Sequence, residues 1–324
     1  MKIIFVCVAG KTFGNGHLNR CIILKNYLSK FHKIEILKLD KYDLNKNIYS
    51  ILNLKINKIN PDIIFFDLSS TSVIKQSKNL KINIKKFVEL NNYFFIFLDS
   101  IGSEKLSFKS NKIKRIIPYY VKNKKENSNL DYVVINKKLF HSYMANKIDK
   151  KIKILITFGG YDIKNTIYTI KALSKIKNLQ INVKIIIGKF CNNNDIKIIS
   201  KKLKDYINGN YKIYTKIDDL SIFYKWSNIV ICSDGTTKYE VAASGRMAII
   251  VRQNFKNYIY GLSFEKLRIA KFINYKTKIS SNKFAFEINK ILNNKNMILN
   301  YSNNAKKIFK KNNIFNYKKI IENN

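Results

Sequence analysis

Short apolar runs alternate along this chain with longer stretches whose apolar residues recur every three or four positions. In the first half the short runs are IIFVCVA (3–9), KIEILKL (33–39), DIIFFDL (62–68), YFFIFLD (93–99), KRIIPYY (114–120) and DYVVI (131–135). Several are apolar on both faces, the pattern of strands in a parallel sheet covered by helices on each side. Residues 17–30 and 75–90 carry helical periodicity between them. In the first of these, Leu18, Cys21, Ile22, Leu24 and Leu28 share one face.

The pattern then restarts. KIDKKIK (147–153) is polar and reads as a linker, and strand candidates follow at ILITF (154–158), NVKIIIG (182–188), YKIYT (211–215), NIVIC (228–232) and MAIIV (247–251). Two βαβ arrays in tandem predict an α/β chain of two Rossmann-like, doubly wound domains facing across a cleft. The boundaries expected are 1–148 and 149–324, with helices over 281–324.

Composition narrows the picture. The chain has 324 residues, 46% of them hydrophobic, enough to bury full cores. The formal net charge of +40 suggests an anionic partner. Only five of the 61 basic residues are Arg, however, and the Lys is spread through the chain with much Asn, Ile and Tyr. Phosphate and base readers favour Arg forks, and AT-rich codons account for the mixture, so no nucleic acid partner is expected. The charge still favours anions such as sugar diphosphates. Cys7, Cys21, Cys191 and Cys232 form no CxxC pair or zinc spacing; Cys7 and Cys232 lie in apolar strand candidates and read as buried free thiols, and a cytoplasmic location fits. No metal or cofactor is expected.

Three glycine-bearing loops follow strands. GKTFGNGH (10–17) brings Gly14 and Gly16 to the start of a helix, just before His17, one of three histidines. A strand, a glycine turn and a helix N-terminus make an anion site, and that terminus favours the neutral ring a general base requires. A capping or packing histidine is the alternative. FGGYDIKN (158–165) offers Gly159 and Gly160 for close approach to a ligand, or a simple turn capped by Asp162 or Asn165. SDGTTKYE (233–240) has side chains that can cap a helix, amides at Gly235, Thr236 and Thr237 for a diphosphate, and Glu240 for a ribose diol or for the helix N-terminus. No GxxxxGK[ST], GxGxxG, HExxH or GxSxG pattern occurs.

These residues carry a resemblance. GNGHLNRC resembles the G-x-G-H-x-x-R loop of the hydrolases that remove UDP from a diacetamido-trideoxy-altrose in pseudaminic acid synthesis. ILITFGGYDIKNT is similar to the opening of their second domain. IDDLSIFYKWSNIVICSDGTTKYEVAASG resembles the UDP-binding half of the N-acetylglucosaminyl transferases that form lipid II. The resemblance, strongest over 1–30 and 150–270, is to the GT-B superfamily. It implies UDP held mainly by the second domain and a final helix crossing back to the first. His17 would be the catalytic base. Gly14 and Gly16 would approach the sugar diphosphate, with Gly159 and Gly160 opposite. Ile217 would sit near uracil, Ser233 to Thr237 near the phosphates, Glu240 on the ribose, and Asn257 in place of a family Gln. The chain departs from the hydrolases at DLS (67–69), where they carry Asp-His-Tyr, and at Asp99-Ser100, where they carry Asp-Asp. It also has Gly245-Arg246-Met247 for the usual Gly-Leu-Pro, while SDGTT has the hydrolase loop length.

The expected function is cleavage of the sugar–phosphate bond of a UDP-sugar, by a hydrolase of surface-glycan synthesis. The alternative is a GT-B glycosyltransferase with a glycan or lipid-linked acceptor, for which KRIIPYYVKNKK (114–125) offers a membrane contact. A basic nucleic-acid-binding protein without catalysis is the third reading.

Overall fold

The computed structural model describes residues 1–11, 13–68, 78–98, 112–121, 130–140, 148, 150–176, 180–206, 211–252, 258–274, 280–310 and 313–323. Its contacts divide the chain into two units, one of Met1–Ile135 with Asn313–Asn324 and one of Asn136–Asn312.

The first unit runs β1 (Lys2–Val8), α1 (Gly16–Leu28), β2 (Lys33–Leu39), α2 (Lys41–Asn45), α3 (Ile48–Ile59), β3 (Ile63–Asp67), α4 (Lys78–Glu89), β4 (Phe94–Leu98) and β5 (Ile113–Ile116). The strands form a parallel sheet in the order β2-β1-β3-β4-β5. Strand alternation splits β1 between two cores. Ile4, Val6 and Val8 pack with Leu52, Ile56 and Phe87, while Ile3, Phe5 and Cys7 pack with Cys21, Leu24 and Leu28. The second of these cores is finished by Ile314, Tyr317, Ile320 and Ile321, from the last helix and the turn before it.

The second unit runs β6 (Ile152–Thr157), α5 (Ile163–Leu173), β7 (Ile181–Ile187), α6 (Asn193–Tyr206), β8 (Tyr211–Thr215), α7 (Ser221–Trp226) and β9 (Ile229–Ser233). It continues through α8 (Thr237–Ala243), β10 (Met247–Val251), α9 (Tyr258–Lys266), β11 (Ala270–Ile273), α10 (Ser281–Leu292) and α11 (Lys295–Ile308). Its sheet is also parallel, in the order β11-β10-β9-β6-β7-β8. The last helix, α12 (Phe315–Glu322), belongs to the first unit.

Two sequence expectations are corrected. DYVVI is not a strand: Leu130–Tyr132 is a single 3-10 turn. Side chains of α12 and the turn before it bind this segment instead. Asn316 Nδ2 donates to Asp131 O at 2.9 Å, Tyr317 Oη to Tyr132 O at 2.8 Å, and Asn313 Nδ2 to Asp131 Oδ1 at 3.2 Å. Conversely, AKFI forms the edge strand β11, which its brevity and its Lys271 conceal in the sequence.

Each sheet reverses its strand order once, between β1 and β3 in the first unit and between β6 and β9 in the second. Open α/β sheets bind ligands beyond the carboxyl ends of the strands at that point. The loops leaving β1 and β3, and those leaving β6 and β9, are therefore where chemistry is sought.

Candidate functional site

In the first unit the loop after β1 folds back on itself. Gly14 N donates to Gly10 O at 2.7 Å, and Gly10 N to Gly14 O at 3.3 Å. Gly14 has φ +71°, with nothing within 4 Å of where a Cβ would stand. A left-handed backbone rather than crowding requires glycine there. Gly16 opens α1 and His17 follows it. Among the described residues no side chain caps this helix, and no acidic residue lies in its first turn.

The sequence reading did not place Asp67 in the site. The parallel register sets Asp67 beside Cys7, where the glycine loop is about to leave the sheet. His17 Nδ1 and Asp67 Oδ1 are 2.7 Å apart. Arg20, one turn further along α1, grips the same carboxylate, from Nη2 to Oδ1 at 2.6 Å and from Nε to Oδ2 at 2.7 Å. Its Nη1 donates to Tyr119 Oη at 3.0 Å. The cluster is buried: His17 is 7% exposed, Arg20 4% and Asp67 0%. Burial alone would raise the Asp67 carboxyl, but the charges of Arg20 and then His17 hold it down at about 2. An ionised carboxylate only accepts hydrogen bonds, so the His17 proton sits on Nδ1 and Nε2 is left as the basic nitrogen. The helix terminus was expected to control this ring; the structure adds a carboxylate that orients it. A charged residue closing the apolar run IIFFD was the available signal for Asp67.

In the second unit the predicted loops lie on neighbouring strand ends. Gly159 and Gly160 follow β6, and Gly188, which no motif suggested, makes room for them. A Cβ on Gly188 would stand 2.2 Å from Gly160 O and 2.3 Å from Gly159 O. Phe190 N donates to Gly160 O at 3.0 Å. Asp162 caps α5, accepting from Asn165 N at 2.9 Å, as the turn reading expected. Half-buried Ile217 follows β8, and its loop is tied to the one after β7 by the Lys189–Asp218 ion pair.

Ser233 ends β9, and Gly235 and Thr236 are half-buried beyond it. Among the described residues no side chain caps α8, although Ser, Asp and Thr of this loop could have done so. Glu240 is on the first turn of α8 and takes a hydrogen bond from Tyr224 Oη to Oε2 at 2.8 Å. Burial raises the Glu240 carboxyl and that hydrogen bond opposes the rise. Among the described residues no donor reaches Oε1. Tyr224 is completely buried, and its backbone is held in turn. Arg246, itself buried, donates from Nε to Tyr224 O at 3.0 Å and from Nη2 to Lys225 O at 2.8 Å. Arg246 thus ties α7 to the turn before β10.

Asn257, Asp99, Ser100 and residues 122–125 lie outside the described residues. Cys7, Cys21 and Cys232 are buried free thiols, and burial pushes Cys232 up to about 12. Among the described residues no group of His, Cys, Asp or Glu is arranged to hold a metal ion, and no helix is long and apolar enough to cross a membrane.

No family model matches the sequence. The chain is 25% identical over 285 residues to an uncharacterized protein of Methanocaldococcus jannaschii, a match covering 78% of this chain and 56% of that protein. It is 33% identical over 121 residues to the UDP-N-acetylglucosamine–N-acetylmuramyl-(pentapeptide) pyrophosphoryl-undecaprenol N-acetylglucosamine transferase of Wigglesworthia glossinidia brevipalpis, covering 34% of each. The chain therefore spans about half and about a third of the lengths of these two curated relatives. In structure it is similar to MurG of Acinetobacter baumannii, with a TM-score of 0.69, 13% identity and 100% of each chain covered. Two parallel-sheet α/β units joined in this way are the GT-B glycosyltransferase fold, and this chain has it. The hydrolase resemblance gains nothing from these similarities.

Proposed function

We propose that the chain is a glycosyltransferase that moves a sugar from a UDP-sugar to a hydroxyl group of a glycan or lipid-linked acceptor. The observation that carries this reading is the His17–Asp67 pair, 2.7 Å apart at the strand-order reversal of the first unit. In the step proposed, the acceptor O–H gives its proton to His17 Nε2 while its oxygen bonds to the anomeric carbon. The bond from that carbon to the diphosphate breaks and UDP leaves with the electron pair. Asp67 stabilises the imidazolium so formed, and Arg20 holds Asp67 ionised.

The second unit supplies the nucleotide site in this reading. Gly235, Thr236 and Thr237 offer amides to the diphosphate beside Ser233, and Glu240 accepts a ribose hydroxyl through Oε1. Gly159, Gly160 and Ile217 line the same strand ends, and Gly14 and Gly16 keep side chains away from the sugar in the first unit. The reading is supported by the relative named for a UDP-N-acetylglucosamine transferase and by the net charge of +40, which suits an anionic donor.

The test is incubation with UDP-N-acetylglucosamine and other UDP-sugars, with and without glycan and lipid-linked acceptors. Product that forms only with an acceptor supports transfer. Stoichiometric free sugar and UDP without one makes the same site a hydrolase. Removing the base should cost about 10²–10⁴ in rate, and full activity in His17→Ala overturns its assignment.

A further inference from the structure

One buried charge in the second unit has no place in that reaction. Lys238 is the second residue of α8 and is 1% exposed. Its ammonium donates to Asp234 O, and to Gly235 O at 2.9 Å. It lies 4.7 Å from the ring centre of Tyr239 and 5.5 Å from those of Tyr260 and Phe264. Among the described residues no carboxylate forms an ion pair with it. A buried cation costs several kcal/mol unless its surroundings offset that cost, and an apolar side chain of similar length would fill the same space. The ammonium therefore has to be explained.

The peptide plane supplies the explanation. In a trans peptide the C=O and the following N–H point in opposite directions. Drawing the carbonyls of Asp234 and Gly235 toward Nζ turns the N–H groups of Gly235 and Thr236 away from it. Among the described residues no backbone acceptor takes either N–H, and both residues are half-buried rather than enclosed.

We propose that Lys238 is a positioning residue for the nucleotide diphosphate: it holds two consecutive amides outward and adds a positive charge behind them. The proposal rests on the reading that this unit binds UDP. It also brings a pH dependence. Burial pulls Lys238 down to about 8, with the charges of Asp234 and Cys232 opposing. The titratable groups facing it are Asp234 and Cys232 from β9 and its loop, Tyr239 from α8 and Tyr260 from α9. Cys232 is pushed up to about 12. With the phosphates of UDP fully ionised above pH 7, the change expected near pH 8 belongs to Lys238.

The experiment is calorimetric titration of the full chain with UDP and with uridine, between pH 7 and 9.5. Wild type should lose about tenfold in UDP affinity across that range as the lysine discharges, over and above any loss uridine shows as the uracil imide they share ionises toward the upper end. Lys238→Met should bind UDP at least tenfold more weakly at pH 7, keep its uridine affinity and show no pH step. Lys238→Arg, charged throughout, should bind UDP without the step, and it keeps the test open if Lys238→Met does not fold. A flat wild-type profile, or an equal loss of UDP and uridine in Lys238→Met, overturns the role of Lys238 alone. Wild type that binds neither ligand overturns the nucleotide reading as well.

Discussion

The two units bury charge at equal depth and with opposite results. At the end of β3, Asp67 is 0% exposed, yet Arg20 and His17 hold its carboxyl at about 2. After β9, Lys238 is 1% exposed and burial draws it down to about 8. Glu240 beside it is raised by burial, with only the Tyr224 hydroxyl in opposition. Burial penalises every charge; the partner decides which way a group moves. The first unit closes its charges on one another and so fixes the imidazole of His17. The second keeps an acid opposed only by a neutral hydroxyl and a cation whose burial the charge of Asp234 offsets only in part. Groups in that condition gain most from a polar ligand.

The strongest way to break the comparison is to open the paired cluster. Asp67→Ala leaves Arg20 buried without its carboxylate and should cost about 3–5 kcal/mol in urea unfolding at pH 7. A carboxyl lowered in the fold adds stability that is present above its ordinary value of 3.8 and lost as the pH falls toward 2. Wild type and Asp67→Asn should therefore converge in acid. A loss below about 1 kcal/mol for Asp67→Ala would make the cluster an ordinary surface pair.

The hydroxyl that opposes burial at Glu240 is the next target. A carboxyl raised in the fold favours folding while protonated and loses that advantage as the pH rises through its folded value. Tyr224→Phe pushes it higher still, so the deficit of the variant should grow from pH 5 to pH 8 and reach about 2 kcal/mol. A deficit that does not change with pH would mean that the hydroxyl only fills space.

For Lys238 the sign reverses. A lysine lowered to about 8 weakens folding below that pH and is relieved above it. In thermal unfolding, wild type should gain on Lys238→Met by roughly 1.5 kcal/mol between pH 8 and 9.5. A constant difference would return Lys238 to the behaviour of the exposed lysines.

Much of the fold was legible because buried parallel strands read as unbroken apolar runs. Ile63–Asp67 and Met247–Val251 are buried at every position. The misread strand at 131–135 is equally apolar, but what it bonds to lies 185 residues away on α12. The candidate site divides in the same way. His17, Gly14 and Glu240 stand in local patterns whose chemistry can be read in order. Asp67, Tyr224 and Lys238 could not be found so. Asp67 is 50 residues from His17 and meets it only through the register of β1 with β3. Tyr224 reaches Glu240 from a separate helix. Lys238 looks like any other lysine of a lysine-rich chain until its burial is known.

The return of α12 to the first unit orders events during synthesis. Residues 1–135 leave the ribosome long before Ile314, Tyr317, Ile320 and Ile321, which finish their core. Domains generally fold as units, the N-terminal one first, but here the second unit can close while the first still waits for its last helix. Until then Leu24, Leu28 and Cys21 keep an uncovered apolar face. The unit that begins the chain is thus the last to be completed, and a ribosome stalled anywhere before residue 314 would leave it open to chaperones and proteases.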